Sequence, residues 1–255
     1  MIRQKVINCG SGRKSKYIEV DLFPYFGKPI KGGRGKKHVE SCPKQKNLNN
    51  KNAKRYFNQL AKSNFNITDY HTSLTYSKEN MPGSVEEAEK IVTNYFRRLK
   101  RLRAKKGLPP LKYLLVTEIG QRGKIHHHVI MNGGLSRDEV EDLWRKLGYA
   151  NTDRLQFDAK GIEGLCNYLC KDPQGKRRWK QSKNLIKPWY RTPTDGKYSK
   201  QKIEQMAKLP QDSEEIKCFW EKQYSGYQLD ESRAEFNTSI GQWSIYLKMS
   251  LKERS

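Results

Sequence analysis

Residues 111–131 read LKYLLVTEIGQRGKIHHHVIM and form the clearest β-hairpin signal in the chain. Leu111 to Ile119 is an apolar, β-branched run with the composition of a buried strand. Gly120 to Gly123 supply a turn, and Lys124 to Met131 return as a second strand. Three consecutive histidines, His126, His127 and His128, lie on that return strand. Side chains alternate along a strand, so His126 and His128 share one face and His127 takes the other. Glu118 lies on the partner strand, where the hairpin can bring it to the face of His126 and His128. Two imidazoles and a carboxylate on rigid strands can bind one cation and leave open positions. With an oxygen ligand in the set, Mg²⁺ or Mn²⁺ is expected rather than a closed zinc site.

The flanking segments supply a scaffold. Tyr70 to Ser77, YHTSLTYS, alternates and is rich in β-formers, which predicts a strand. Ser84 and Glu87 have capping-box spacing, and Val85, Ala88, Val92, Tyr95, Phe96 and Leu99 follow at helical intervals to about residue 104. Gly107 and Pro109–Pro110 stop that helix. Ser136 and Glu139 repeat the capping box and open a helix through Val140, Leu143, Trp144 and Leu147, ended by Gly148. Thr152 to Phe157 suit a fourth strand, and a helix follows from about Gly161 to Asp172, before Pro173. The order strand, helix, strand, strand, helix, strand predicts an α+β, ferredoxin-like βαββαβ unit, with an antiparallel sheet and helices on one face. The seventh element can lie across the open face. Residues 67–198 are read as this domain and 1–66 as a basic N-terminal extension. Within that extension YIEVDLFPYF (17–26) suits either a short strand or a docking segment. Residues 199–255 are read as a helical C-terminal extension, with helices near 199–209 and 212–223.

Composition narrows the partner. The net charge is +24, from 51 Lys+Arg against 27 Asp+Glu. Such a surplus points to a polyanion, because every neutralised phosphate releases a condensed counterion. Residues 1–65 hold 16 basic and 3 acidic residues, whereas 200–255 hold 9 of each. A DNA path is therefore expected over the first two-thirds. Five cysteines, with no CxxC pair and no signal-peptide core, predict reduced thiols in a cytosol. Cys166 and Cys170 read as small core residues. No apolar run approaches about 20 residues, so no membrane span is expected. No GxxxxGK[ST] loop occurs, so a built-in helicase motor is not expected.

A tyrosine completes the candidate chemistry. In GIEGLCNYLCKD (161–172), about 100° per residue puts Gly161, Gly164, Tyr168, Lys171 and Asp172 on one helix face. Ile162, Cys166, Leu169 and Cys170 gather on another, which should pack. Lys171 can neutralise a phosphate or lower the phenol pKa, ordinarily about 10. Lys176, Arg177, Arg178 and Trp179 follow, and basic residues interleaved with an aromatic suit single-stranded DNA. Thr75, Arg122 and Lys124 are further DNA-contact candidates beside the hairpin. The basic run RRLKRLRAKK (97–106) reads as solvated, with some residues available to DNA backbone.

These residues resemble the three motifs of the HUH endonucleases that initiate rolling-circle replication in small phages and plasmids. Ser73-Leu74-Thr75-Tyr76 is similar to the first motif. His126-His127-His128 resembles the H-x-H metal motif, with His127 where a hydrophobic residue is usual. Glu118-Ile119-Gly120 resembles the segment that supplies a third ligand, and Tyr168-Leu169-Cys170-Lys171 matches Y-x-x-K. The resemblance covers roughly residues 68–175. It implies Mn²⁺ or Mg²⁺ as cofactor and a single-stranded origin, such as a hairpin loop, as substrate. It also implies transesterification through a 5′-phosphotyrosine at Tyr168, host helicase and polymerase as partners, and the bacterial cytoplasm as location. A transposase or plasmid-mobilising relaxase with the same chemistry, and a non-catalytic nucleic-acid-binding protein, are the alternative readings.

Overall fold

The computed structural model describes residues 1–11, 15–27, 43–120, 123–158, 161–171 and 177–252. In chain order the elements are β1 (Ile2–Cys9), β2 (Tyr17–Pro24), α1 (Pro43–Asn64), β3 (Tyr70–Tyr76), α2 (Val85–Lys105), β4 (Tyr113–Ile119), β5 (Ile125–Met131), α3 (Arg137–Asp142), β6 (Gly148–Arg154), α4 (Glu163–Leu169), β7 (Lys180–Gln181), β8 (Trp189–Tyr190), β9 (Thr194–Asp195), α5 (Lys200–Lys208), α6 (Glu214–Gln223), β10 (Tyr227–Asn237) and β11 (Gln242–Leu251). They divide into a central unit, Lys51–Ile186, and a terminal unit, Met1–Asn50 with Lys187–Ser255.

The central unit has the expected α+β architecture. Its sheet runs β6-β3-β5-β4-β7, and every pairing is antiparallel. The first four strands have the order of a ferredoxin-like βαββαβ sheet. α2 and α3 cover one face. Ala88, Val92, Tyr95, Phe96 and Leu99 of α2, with Val140 and Trp144, pack on Tyr70, Leu74, Leu115, Val129 and Met131. The other face is also covered, by Phe57, Leu60 and Ala61 of α1 and by Cys166 and Leu169 of α4. Burying such side chains stabilises by roughly 1.5–3 kcal/mol each. α1 falls inside what reads in the sequence as a basic arm. Its apolar side chains are separated by Asn, Gln and Lys, which disguises the stripe.

Capping follows the sequence closely but not everywhere. Ser84 accepts from the Glu87 N–H (3.2 Å), while Glu87 Oε2 accepts from Gly83, one residue ahead of the N-cap. At Ser136 and Glu139 both halves of the capping box form. α3 is nevertheless shorter than expected and ends at Asp142. The chain turns at residues 143–147 so that Trp144 can bury its indole and donate to the Thr75 carbonyl (2.8 Å). Gly148 does not terminate a helix; it opens β6, ahead of the expected start of that strand at Thr152. A Cβ at Gly148 would lie 2.2 Å from the Thr75 oxygen, which only glycine avoids.

The terminal unit departs further from the sequence reading. β1 and β2 form a hairpin, and residues 227–251, expected to be helical, form the long antiparallel pair β10 and β11. β11 pairs with β2, giving the order β10-β11-β2-β1-β8, with β9 also on β1. α5 and α6 occur close to where they are expected. Ile203, Met206, Ile216 and Trp220 from these helices pack on Ile18, Val20, Leu22, Ile245, Leu247 and Met249. The N- and C-terminal segments thus share one core. Their pairing is long-range, and local sequence patterns carry no information about it.

Replacing Gly148 by Ala should lower stability by more than about 1 kcal/mol, because the added methyl collides with backbone that cannot move aside. Urea denaturation of Gly148→Ala against the parent chain measures this, and an unchanged midpoint would contradict the packing described.

Candidate metal centre

β5 lies between β3 and β4, so each of its side chains has a neighbour on both sides. Glu118 stands opposite His126 on β4, while Thr75 and Ser73 stand opposite His126 and His128 on β3. On this face Leu114, Val116 and Ile130 form an apolar ladder beneath α1 and α4. Glu118, His126 and His128 continue that ladder where it runs out towards solvent.

The three side chains converge. His126 Nε2 lies 3.5 Å and His128 Nε2 3.4 Å from the same carboxylate oxygen, Glu118 Oε2. One ligand atom from each falls within 4.8 Å of the others. Ligands around an octahedral cation at about 2.1 Å are about 3 Å apart, so a small adjustment closes this set on one ion. His128 Nε2 is buried and makes no hydrogen bond. A buried polar atom without a partner is costly, and a cation would supply the partner. Burial first, then His71 and His126, lowers the His128 pKa to about 4. The imidazole is therefore neutral near pH 7, as ligation requires.

A second layer orients His128. Its Nδ1 lies 3.3 Å from His71 Nε2 and 3.3 Å from Ser73 Oγ. The His71 and His128 rings stack at 5.4 Å with 13° between planes. A proton on His128 Nδ1, shared with either partner, leaves the Nε2 lone pair facing Glu118. No sequence motif marks His71, although its position two residues before Ser73 puts it on the same strand face. Gly120 has a role of its own. A Cβ there would come 3.1 Å from His126 Cε1, so a side chain would crowd the imidazole.

Tyr168 completes the face. It projects from α4, is 59% exposed, and sits edge-on to His128 with ring centroids 5.9 Å apart and planes at 81°. α4 is shorter than expected and ends at Leu169, with Cys170 as its C-cap. Lys171 is thus beyond the helix rather than one turn along it. It is exposed, and its N–H donates to the Tyr168 carbonyl at 3.1 Å. Asp172 lies outside the described residues. Burial pushes the Cys170 thiol up to about 11 and raises that of Cys166 as well, so both remain protonated core residues.

His127 points the opposite way. It is fully buried, with Nε2 2.8 Å from Tyr76 Oη and Nδ1 2.9 Å from Thr117 Oγ1. Burial, reinforced by His126, His128 and Lys180, lowers its pKa to about 3. Where a hydrophobic residue is usual, this strand has a neutral histidine with both nitrogens satisfied.

The remaining candidate residues divide. Thr75 and Lys124 line an open groove of about 330 Å³ together with His126 and Gly120. Arg177 and Arg178 are exposed. Trp179 is half-buried, edge-on to Phe57 at 5.3 Å, and its indole donates to Gln181, so it serves as packing beside α1. Arg122 and Lys176 lie outside the described residues. In the basic run of α2, Arg103 is buried and donates to the carbonyls of Pro109 and Gly133, which removes it from any DNA surface.

Residues 69–173 match a family model of replication-associated proteins, the ORF2 type. The match starts one residue before β3 and ends beyond α4, so it contains Glu118, His126, His128 and Tyr168 and excludes the terminal unit. No curated protein and no solved structure matches the chain. Among the described residues no helix is long and apolar enough to cross a membrane.

The two faces of β5 make separable predictions. His127→Ala should cost roughly 2–4 kcal/mol through a cavity and two orphaned hydroxyls, yet retain Mn²⁺ binding. His128→Ala should abolish Mn²⁺ binding with a smaller stability loss, and His71→Phe should weaken it by roughly 10–100-fold. Calorimetric titration with Mn²⁺ alongside urea denaturation distinguishes the three. The depressed histidines also predict a pH dependence. The unfolded chain takes up protons near pH 6.5 that the folded His127 and His128 refuse, so their contribution is complete above that pH. It is lost as pH falls through the folded values of about 4 and about 3. Urea midpoints of the metal-free protein should fall over that window, and less steeply for His127→Phe.

Proposed function

We propose that this protein initiates replication by nicking and rejoining single-stranded origin DNA through Tyr168. The observation that carries the reading is the placement of the Tyr168 ring against His128, on the sheet face that also holds His126 and Glu118. The match of this segment to a replication-associated family supports the biological setting.

Glu118, His126 and His128 would hold Mg²⁺ or Mn²⁺, which supplies Lewis-acid polarisation of a phosphate oxygen. The Tyr168 oxygen attacks the scissile phosphorus as its P–O3′ bond breaks. The tyrosine gives up its phenolic proton and the departing 3′ oxygen gains one. The products are a 5′-phosphotyrosine and a free 3′-OH, and the number of phosphodiester linkages is unchanged. Attack by a 3′-OH reverses the step and reseals the strand without ATP. Lys171, close to the tyrosine in sequence, is assigned to offset phosphate charge. Thr75 and Lys124 would guide the backbone into the groove beside His126, with Arg177, Arg178 and the basic residues Arg122 and Lys176 neutralising further phosphates. The exposed tyrosine needs a strand that can bend to it, which favours single-stranded DNA such as a hairpin loop. The free 3′-OH primes a polymerase, so a host helicase and polymerase in the bacterial cytoplasm complete the process.

Incubation with 5′-labelled and 3′-labelled single-stranded origin DNA and Mn²⁺ tests this. A denaturation-resistant protein adduct carrying the 3′ fragment is expected, absent in Tyr168→Phe and lost on chelation. Cleavage that persists in Tyr168→Phe would place the nucleophile elsewhere.

A further inference from the structure

The terminal unit lies outside the family match, and one edge of its sheet combines features that its own packing does not use. β8 is a two-residue edge strand, Trp189 and Tyr190, paired with Asn8 and Ile7 of β1. Both aromatic residues are exposed, Trp189 at 38% and Tyr190 at 51%, and neither belongs to the unit's core. Large aromatics on an edge expose apolar area for which the fold itself shows no use. Lys5 Nζ sits 4.2 Å from the centroid of the Tyr190 ring, putting a cation beside a stacking surface.

The chain after β8 adds charge and a cavity. Residues 187–202 contain Lys187, Arg191, Lys197, Lys200 and Lys202 against the single acid Asp195. Asp195 is already neutralised, because Arg3 donates to both of its oxygens at 2.7 Å. Arg191, Thr192, Thr194, Lys197, Gln4 and Tyr224 line a cleft of about 320 Å³, and among the described residues no carboxylate lines it. Gln4 is nine-tenths buried, and its Oε1 makes no hydrogen bond. Hydroxyls, cations and an amide beside an aromatic ring are the groups that recognise a nucleotide: phosphate at the cations, base at the rings and amide.

We propose that this edge is a second binding site for single-stranded DNA. Trp189 and Tyr190 stack unpaired bases, Lys5, Arg191 and Lys197 neutralise phosphates, and the cleft receives one nucleotide. Exposed rings on an edge strand suit unstacked bases; in a duplex the base faces are hidden. The site uses none of the residues at Tyr168 and needs neither metal nor nicking, so it stands or falls separately from the chemistry above.

The full-length chain carrying Tyr168→Phe, without metal, is titrated with a fluorescent oligo-dT of about 20 nucleotides. Trp189→Ala with Tyr190→Ala should weaken binding by about tenfold or more, and Lys197→Ala should lower the salt slope by about 0.7. Quenching of tryptophan fluorescence on binding should shrink in Trp189→Phe. In the Tyr168-intact chain, Trp189→Ala with Tyr190→Ala should still form the adduct at saturating DNA. Unchanged oligo-dT affinity in the double variant overturns the proposal. So does an equal loss for duplex DNA, which would mark a duplex-binding surface, or tighter binding to the matching RNA.

Discussion

A strand in the middle of a sheet cannot rotate or slide without breaking two ladders at once, and β5 is held in this way between β3 and β4. Its period of two sends His127 into the core beneath α2 and α3, and His126 and His128 to the opposite face. A slip of one residue would exchange them, placing two imidazoles among Leu74, Tyr95 and Trp144 and removing both from Glu118. The register is fixed by apolar neighbours, Val129 and Met131 on one face and Ile130 on the other. The same strand then carries polar ligands only at its solvent-facing end. Packing energy thus sets the position of the chemistry.

The two histidine environments show how burial alone divides three adjacent, identical side chains. His127 is desolvated but fully hydrogen-bonded, so its neutral form is stable and its role is structural. His128 is also largely desolvated, yet its Nε2 has no protein partner. The site is left with an unmet demand for an electron-pair acceptor, directed at the oxygen that His126 also approaches. His71 and Ser73 hold the other nitrogen and stop the ring from turning away. A centre built on strands, with its orientation fixed by neighbouring strand residues, is more rigid than one built on loops.

The helices on the site face contribute differently from those behind it. α2 is long and capped, and its apolar stripe supplies stability. α4 has only seven residues. It buries Cys166 and Leu169, which anchor it to the ladder, and this leaves Tyr168 on the exposed side near His128. A short helix held by two side chains can present a phenol to solvent beside the imidazoles. Two cysteines suit this anchoring because they are small, and burial keeps their thiols protonated and unreactive.

The sequence alone determined what depends on local order. Strand alternation gave the faces of His126, His127 and His128, the capping boxes gave the starts of α2 and α3, and the hairpin placed Glu118 near His126. These features have periods of two or 3.6 residues and can be read in a short window. Tertiary structure decided what depends on distant partners. The stripe of α1 is hidden among polar residues, and its role appears only when the second sheet face needs cover. The shortening of α3 and α4, the burial of Trp179 and Arg103, and the turn at Gly148 follow from the space left by packed neighbours. The pairing of β2 with β11 joins segments at opposite ends of the chain. Its free energy comes from a shared core that no local pattern encodes.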